Sequence, residues 1–469
     1  MQGCEVHMRC RRTLWTVATI PCLLIVPATL GQIISTSVQE KANSGDVSAM
    51  LRLAQAYETG GRSDPVEAAR WYRRAANAGN PLAQTKLAAF YLQGVGVSKD
   101  PQEAVQWWRR AASSGYGLAQ YKLGLAYLQG EGVAKDDAEG VRWLREAAGN
   151  DISDAEANLG VLYLSGRGVP KSNADALAWT THAARHGSAF AECNLGAMYQ
   201  FGDGVEQDAA QAEKWYRRAA GRDFPDGEYR LARFLVDKPG GLAEATTWMR
   251  KAASQGDTRA QFSLGLLYSQ GRGVPQSYTD AASWYHRAAE AGYAEAELNL
   301  GSLYESGKGV EQDKRQAVSW YSEAAKQGLV AAEWNLGLAF ETGSGIAQDY
   351  VKARYWYLQA AQGGNRDAKN SLGHLLYAGL GGSRDRQQAL EWLLSAADHG
   401  DPRAALNLGI ALSDSQASES DRLSAVMWYE IARRRGLDPG PALENLKSRL
   451  TPAQAEMAER NASLWLAVH

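Results

Sequence analysis

The chain has 469 residues, of which 22% are charged, and a formal net charge of -2. That balance lacks the basic surplus needed to hold a phosphate backbone, so a nucleic-acid partner is not expected. Length alone suggests about three compact domains, but an internal period described below overrides that count.

The first 31 residues stand apart from the rest. Arg9, Arg11 and Arg12 precede an apolar stretch, Thr13 to Gly31, that contains Leu14, Val17, Ile20, Leu23, Leu24, Ile25 and Val26. A basic flank, an apolar run, then small and polar residues is the pattern of a secretory signal. Met8 is an alternative start that tightens the basic flank. The end Pro27-Ala28-Thr29-Leu30-Gly31 is not a clean cleavage site, and the run nears the lower limit for a membrane span, about 17 residues. An uncleaved anchor is therefore the alternative to a cleaved signal, and a periplasmic location is the expectation. Cys4, Cys10 and Cys22 all lie in this leader, leaving Cys193 alone in the body. One cysteine cannot form an internal disulfide, so the fold relies on packing.

After a lone helix read over Val38 to Gly45, two markers set the organisation. Trp71, Trp107, Trp143, Trp179, Trp215, Trp248, Trp284, Trp320, Trp356, Trp392 and Trp428 are spaced 36 residues apart, with one step of 33 between Trp215 and Trp248. Leucines run beside them from Leu53 and Leu87 to Leu408, with the same 33-residue step between Leu231 and Leu264. A period of this length means one supersecondary unit stacked on its own copies.

Residues 119–149 show the unit most clearly. Ala119, Leu123, Ala126 and Tyr127 share one face at helical spacing. Gly130 and Gly132 end that helix, and Val133 fills the space beneath the turn. A second helix starts near Asp136 or Asp137 and runs through Val141, Trp143 and Ala147-Ala148. Aspartate at the start accepts free backbone N–H bonds, and the equivalents Asp64, Asp100, Asp208, Asp313, Asp349, Asp385 and Asp421 read as caps rather than catalysts. Pairs such as Trp71-Tyr72, Trp284-Tyr285 and Trp320-Tyr321 resemble stacking platforms, but their phase places them beside the alanine pair, as a buried interlock.

Between Leu231 and Trp248 the glycine turn is replaced by Val236-Asp237-Lys238-Pro239-Gly240-Gly241, which predicts a changed inter-repeat angle or a hinge. Ser413 to Asp421 replaces the last glycine turn with a polar loop. Pro441 to Lys447 and Pro452 to Leu466 read as helices without the markers. Glu456, Glu459 and Arg460 are expected outside, with Met457, Leu464 and Trp465 packed inward as a terminal cap. The organisation is thus a leader over residues 1–31, repeats over 32–436 and a helical cap over 437–469.

The signature Ala-x-x-x-Leu-Gly-x-x-Tyr-x-x-Gly-x-Gly-Val, followed by Asp, Ala, Trp-Tyr and Ala-Ala-x-x-Gly, is nearly whole at residues 155–187, 191–220, 296–328 and 332–364. It resembles the Sel1-like repeat family, a branch of the tetratricopeptide-type solenoids, over about residues 37–436. The resemblance implies an all-α fold, a right-handed superhelical α-solenoid of about eleven two-helix repeats. It also implies an adaptor or scaffold, since exported bacterial members are similar to regulators, envelope assembly factors and host-interaction proteins. Fold alone does not choose among those roles.

Catalytic and cofactor chemistry find little support. His182 and His186, four apart on a helix, have the spacing of a chelating pair, but Ala183 stands where a zinc hydrolase needs glutamate. With no third ligand apparent in the sequence, they read as an exposed pair rather than a metal site. The turn Gly166-Arg167-Gly168-Val169-Pro170 lacks the long span and Lys-Ser/Thr ending of a phosphate loop. Cys193 reads as a core residue. The expectation is no enzyme, no cofactor and no metal.

Binding is expected on the concave surface, lined by the first helix of each unit. The residue before each marker leucine is polar, and Asn158, Asn194, Arg230, Asn299, Asn335 and Asn407 are the candidate partner-binding set. Each amide offers a donor and an acceptor to a peptide backbone; alternatively it bonds the next repeat and fixes the stacking register. The main expectation is an exported scaffold that binds a protein or peptide. The alternative is a structural envelope component that binds wall glycan through exposed aromatics or organises envelope proteins.

Overall fold

The computed structural model describes residues 36–60, 63–414 and 418–468, so the expected leader lies outside the described residues. Those residues form 25 helices and no strand. None of these helices is long and apolar enough to cross a membrane.

Five repeats in each unit are antiparallel helix pairs whose ends follow from their sequence. In the third repeat, Gly117–Gln129 stops at Gly130, which takes the left-handed conformation (φ 74°). The next helix, Asp137–Ala148, begins at Asp136, whose carboxylate accepts from the Ala138 and Glu139 amides. Between them Gly132 (φ 71°) meets the preceding repeat so closely that a Cβ there would lie 2.0 Å from the Pro101 carbonyl oxygen. That turn therefore needs glycine for both conformation and space.

The Leu-Gly and Trp-Tyr markers meet in a single contact. A Cβ on Gly196 would stand 2.5 Å from the Tyr216 ring, and Gly265, Gly301, Gly337 and Gly409 face Tyr285, Tyr321, Tyr357 and Tyr429 in the same way. Small against large lets the two helices interlock, and burying one such ring contributes about 2 kcal/mol. The phenol then closes the pair: Tyr321 Oη donates to Glu305 at 2.8 Å and Tyr357 Oη to Glu341 at 2.5 Å. Burial and the adjacent carboxylate hold both phenols well above their ordinary range, so they remain protonated donors.

Tyrosine, not tryptophan, takes the deepest place. Trp71, Trp107 and Trp428 are buried, but the other marker tryptophans are half-buried. A cation one turn on covers several of them, as Arg74 over Trp71 (4.6 Å), Arg110 over Trp107 (4.4 Å) and Arg287 over Trp284 (4.6 Å).

The chain falls into two compact units divided between Lys238 and Pro239, inside the 33-residue repeat. The first holds the lone helix Thr36–Asn43, five helix pairs from Val47 to Ala220, and Pro225–Val236. The second opens with Leu242–Ser254, carries five pairs from Thr258 to Arg434, and ends with Pro441–Lys447 and Pro452–Val468.

Two expectations at the end of the chain need correction. Ser418, not Asp421, is the N-cap of Glu419–Arg434; Asp421 lies one turn inside and completes a capping box with it. Met457 and Leu464 face outward, 46% and 59% exposed. The last helix approaches the helix Glu419–Arg434 closely enough that Ala458 and Ala462 take the buried positions, with Trp465 against Trp428 at 5.1 Å.

Candidate functional site

Three residues before the marker leucine, the first helix turns a long polar side chain inward. Gln84, Gln120, Glu156, Glu192, Gln261, Glu297 and Glu333 occupy this position and all are buried. The preceding repeat's second helix ends there with open carbonyls, which need donors. Glutamine supplies one: Gln84 donates to Ala76 O (3.1 Å), Gln120 to Ala112 O (3.3 Å) and Gln261 to Ala253 O (3.1 Å).

An ionised glutamate has no proton to give, so it must be met from the other side. The positions that reach it lie 26 and 30 residues later, at the end of the same repeat's second helix. Around Glu192 these are Arg218 (3.0 Å) and Arg222 (2.9 Å). Gln327 donates to Glu297 at 3.0 Å. Around Glu333 they are Gln359 and Gly363, and among the described residues no ion pair reaches this carboxyl; burial pushes it above its ordinary value.

In the fourth repeat the two positions are His182 and His186. Glu156 Oε1 lies 2.9 Å from His182 Nδ1, and Glu156 Oε2 lies 3.2 Å from His186 Nδ1. The rings stand edge to face with centroids 4.2 Å apart. The imidazole side chains are 53% and 38% exposed, whereas the carboxylate is 1% exposed. One ligand atom from each of the three residues lies within 4.8 Å of the other two. Sequence reasoning singled out both histidines and missed Glu156, which antiparallel packing carries to them from the first helix. Its signal was a polar residue recurring at a buried register.

The asparagine ladder divides. Asn158 is fully buried and donates to Tyr121 Oη (3.3 Å) of the repeat before it, and Asn407 donates likewise to Asn370 Oδ1 (2.8 Å). Both bonds fasten one first helix to its predecessor. Asn194 is 2% exposed and neither amide atom has a hydrogen-bond partner. Arg230 is half-buried and paired to Asp226 at 2.6 Å. Asn299, which donates to Tyr285, and Asn335 are half-buried.

The first helices differ in openness from repeat to repeat. In Ser153–Ser165 and Ala189–Phe201 the register positions of Ala157, Asn158 and Val161, and of Cys193, Asn194 and Ala197, are all buried. The same positions in Ala294–Ser306 are Leu298, Asn299 and Ser302, and in Val330–Thr342 they are Trp334, Asn335 and Leu338. These are half-buried, or exposed in the case of Ser302.

Helix pairs locked by a glycine–ring contact, and joined through a glycine turn to the pair before, define a helical-repeat solenoid. The Sel1 repeat model matches eleven times, at residues 47–80, 81–116, 117–151, 153–188, 189–223, 225–257, 258–293, 294–329, 330–365, 366–401 and 402–437. The chain belongs to the Sel1 repeat family. A solved relative is a protective antigen present in uropathogenic Escherichia coli strains and displaying an SLR fold. It is 32% identical, with 92% of this chain and 94% of that one covered, at a TM-score of 0.59. A Sel1 repeat protein from Oxalobacter formigenes is 31% identical over 72% of this chain and 89% of its own, at a TM-score of 0.38. A search of curated proteins gave no match. Proteins of this repeat fold are generally protein-interaction scaffolds.

Proposed function

We propose that the chain is an exported, non-enzymatic scaffold that binds a peptide segment of a partner protein on its first-helix face. One observation carries the reading: Ala294–Ser306 and Val330–Thr342 leave aliphatic, indole and amide groups half-open at register positions that Ser153–Ser165 and Ala189–Phe201 bury. Large apolar side chains beside amides offer anchoring area together with backbone recognition. Of the six candidate residues, Asn299 and Asn335 would meet the partner, whereas Asn158 and Asn407 hold neighbouring repeats in register. The basic flank and apolar run of residues 1–31 support export, as does the description of the E. coli relative as a protective antigen.

A photo-crosslinking residue placed at position 299 or 335 should capture one recurrent protein from the native envelope fraction. The same residue at Lys326, exposed on a second helix, should not capture it. Identical capture from all three positions would reject the face assignment. Sedimentation with wall material and no captured protein would favour a structural envelope role.

A further inference from the structure

We propose that Glu156, His182 and His186 bind one divalent transition-metal ion of the class that accepts mixed nitrogen and oxygen ligands, with zinc as the expected occupant. The proposal goes beyond the scaffold reading and does not depend on it.

Glu156 and Glu192 hold the same register position, and both are 0% exposed. A buried carboxylate that stays ionised needs a compensating cation. Around Glu192 two permanent cations, Arg218 and Arg222, fill that place. Around Glu156 the same two positions carry imidazoles, which bring no permanent charge to set against the carboxylate. A bound ion supplies the missing charge. Arg222 also approaches Gly187, next to His186, but its own hydrogen bonds go to Glu192.

Histidines four apart on one helix face, joined by one carboxylate, form a two-nitrogen, one-oxygen set that leaves coordination positions for water. Zinc lies about 2.0–2.2 Å from such donors, so neighbouring donors on one ion stand about 3 Å apart. The observed separations from carboxylate oxygen to imidazole nitrogen are 2.9 and 3.2 Å. Neither histidine has to be brought from another element: His182 lies in the last turn of Asn173–Arg185 and His186 is its C-cap. A helix C-terminus favours positive charge. The half-exposed imidazoles also give an ion a path from solvent.

The test uses the tag-free full-length chain, stripped with chelator at pH 8. Cobalt(II) titration should produce visible d–d bands that saturate at one ion per chain, and zinc should displace them. His182→Ala and His186→Ala should each weaken binding at least about tenfold, and the double variant should abolish it. Circular dichroism should show both variants folded, since each side chain is partly exposed. Glu156→Gln should fold as well, because glutamine holds this position in the second and third repeats, and it should lose affinity by a similar factor. Arg218→Ala should leave binding unchanged. Absence of the d–d bands would overturn the proposal, as would equal affinity in a folded double-histidine or Glu156→Gln variant. A stripped chain stabilised by acidification but not by zinc would overturn it too, and would leave the group as a protonated clamp.

Discussion

Glu156 and Glu192 stand at one register position in neighbouring repeats, equally buried, yet different kinds of group answer them. Guanidinium groups with permanent charge close on Glu192, and imidazoles that are charged only when protonated close on Glu156. The repeat imposes burial of the acid, while two positions at the end of the second helix decide how its charge is met. Those positions are partly exposed, so they vary without repacking the core.

The widest separation between the two should come from removing the partners. Arg218→Ala with Arg222→Ala leaves an uncompensated buried carboxylate and should cost about 3 kcal/mol, the low end of the usual range because both guanidiniums are partly exposed. Hydrogen exchange in Ala189–Phe201 and Ala209–Ala220 is the suitable measurement, since a long repeat array need not unfold in one step. His182→Ala with His186→Ala, metal-free at pH 8, removes only hydrogen bonds to the acid and should cost about 1 kcal/mol. Equal losses would show that permanent charge is irrelevant in this slot.

A smaller contrast lies in how each repeat packs its glycine. Gly196→Ala drives a methyl to within 2.5 Å of the Tyr216 ring and should cost about 2 kcal/mol. Gly160→Ala in the fourth repeat meets Thr180 Oγ1 instead, a single atom that can move only by giving up its bond to Ala176 O. With that bond lost and the better helix propensity of alanine offsetting part of the clash, the variant should cost about 1 kcal/mol, less than Gly196→Ala, in the same exchange experiment.

The smallest effect extends the comparison to Glu333, which neither arginine nor histidine meets. Burial raises its carboxyl above the ordinary value, so the folded state holds the proton more tightly than the unfolded chain. Its contribution is fully present below the unfolded value, about 4.3, and is lost as pH rises through the folded one. Glu333→Gln should therefore stabilise the protein by about 1 kcal/mol at pH 7 and give almost no gain at pH 3. A gain independent of pH, read from paired denaturation series, would mean that the acid is already neutral or already compensated.

Much of this architecture was legible because small and large residues recur in phase. The Asp136 cap and the terminal helices starting at Pro441 and Pro452 follow from local spacing and propensity. The Glu156 cluster was harder to read, since its members are 26 and 30 residues apart and meet only after two helices pack antiparallel. Asn194 and Asn299 carry the same side chain at the same register, yet one is sealed and the other half-open. Neighbouring side chains decide that difference, and a periodic pattern carries no record of them. Met457 and Leu464 were misplaced because apolar character in a terminal helix does not say which face is covered.

The glycine turn carries an evolutionary consequence. Gly132 rests on the main chain at Pro101, and Gly96 and Gly345 rest in the same way on Pro65 and Lys314. A backbone carbonyl is identical in every copy, so these joints do not depend on which side chains the neighbour carries. Whole repeats can therefore be duplicated, lost or exchanged, and the new neighbours still fit. The sixth repeat lacks this turn, and Lys238 Nζ reaches back to Glu213 of the fifth at 2.6 Å. That joint is keyed to a particular residue, and a gene that shuffles its repeats would have to leave those two together.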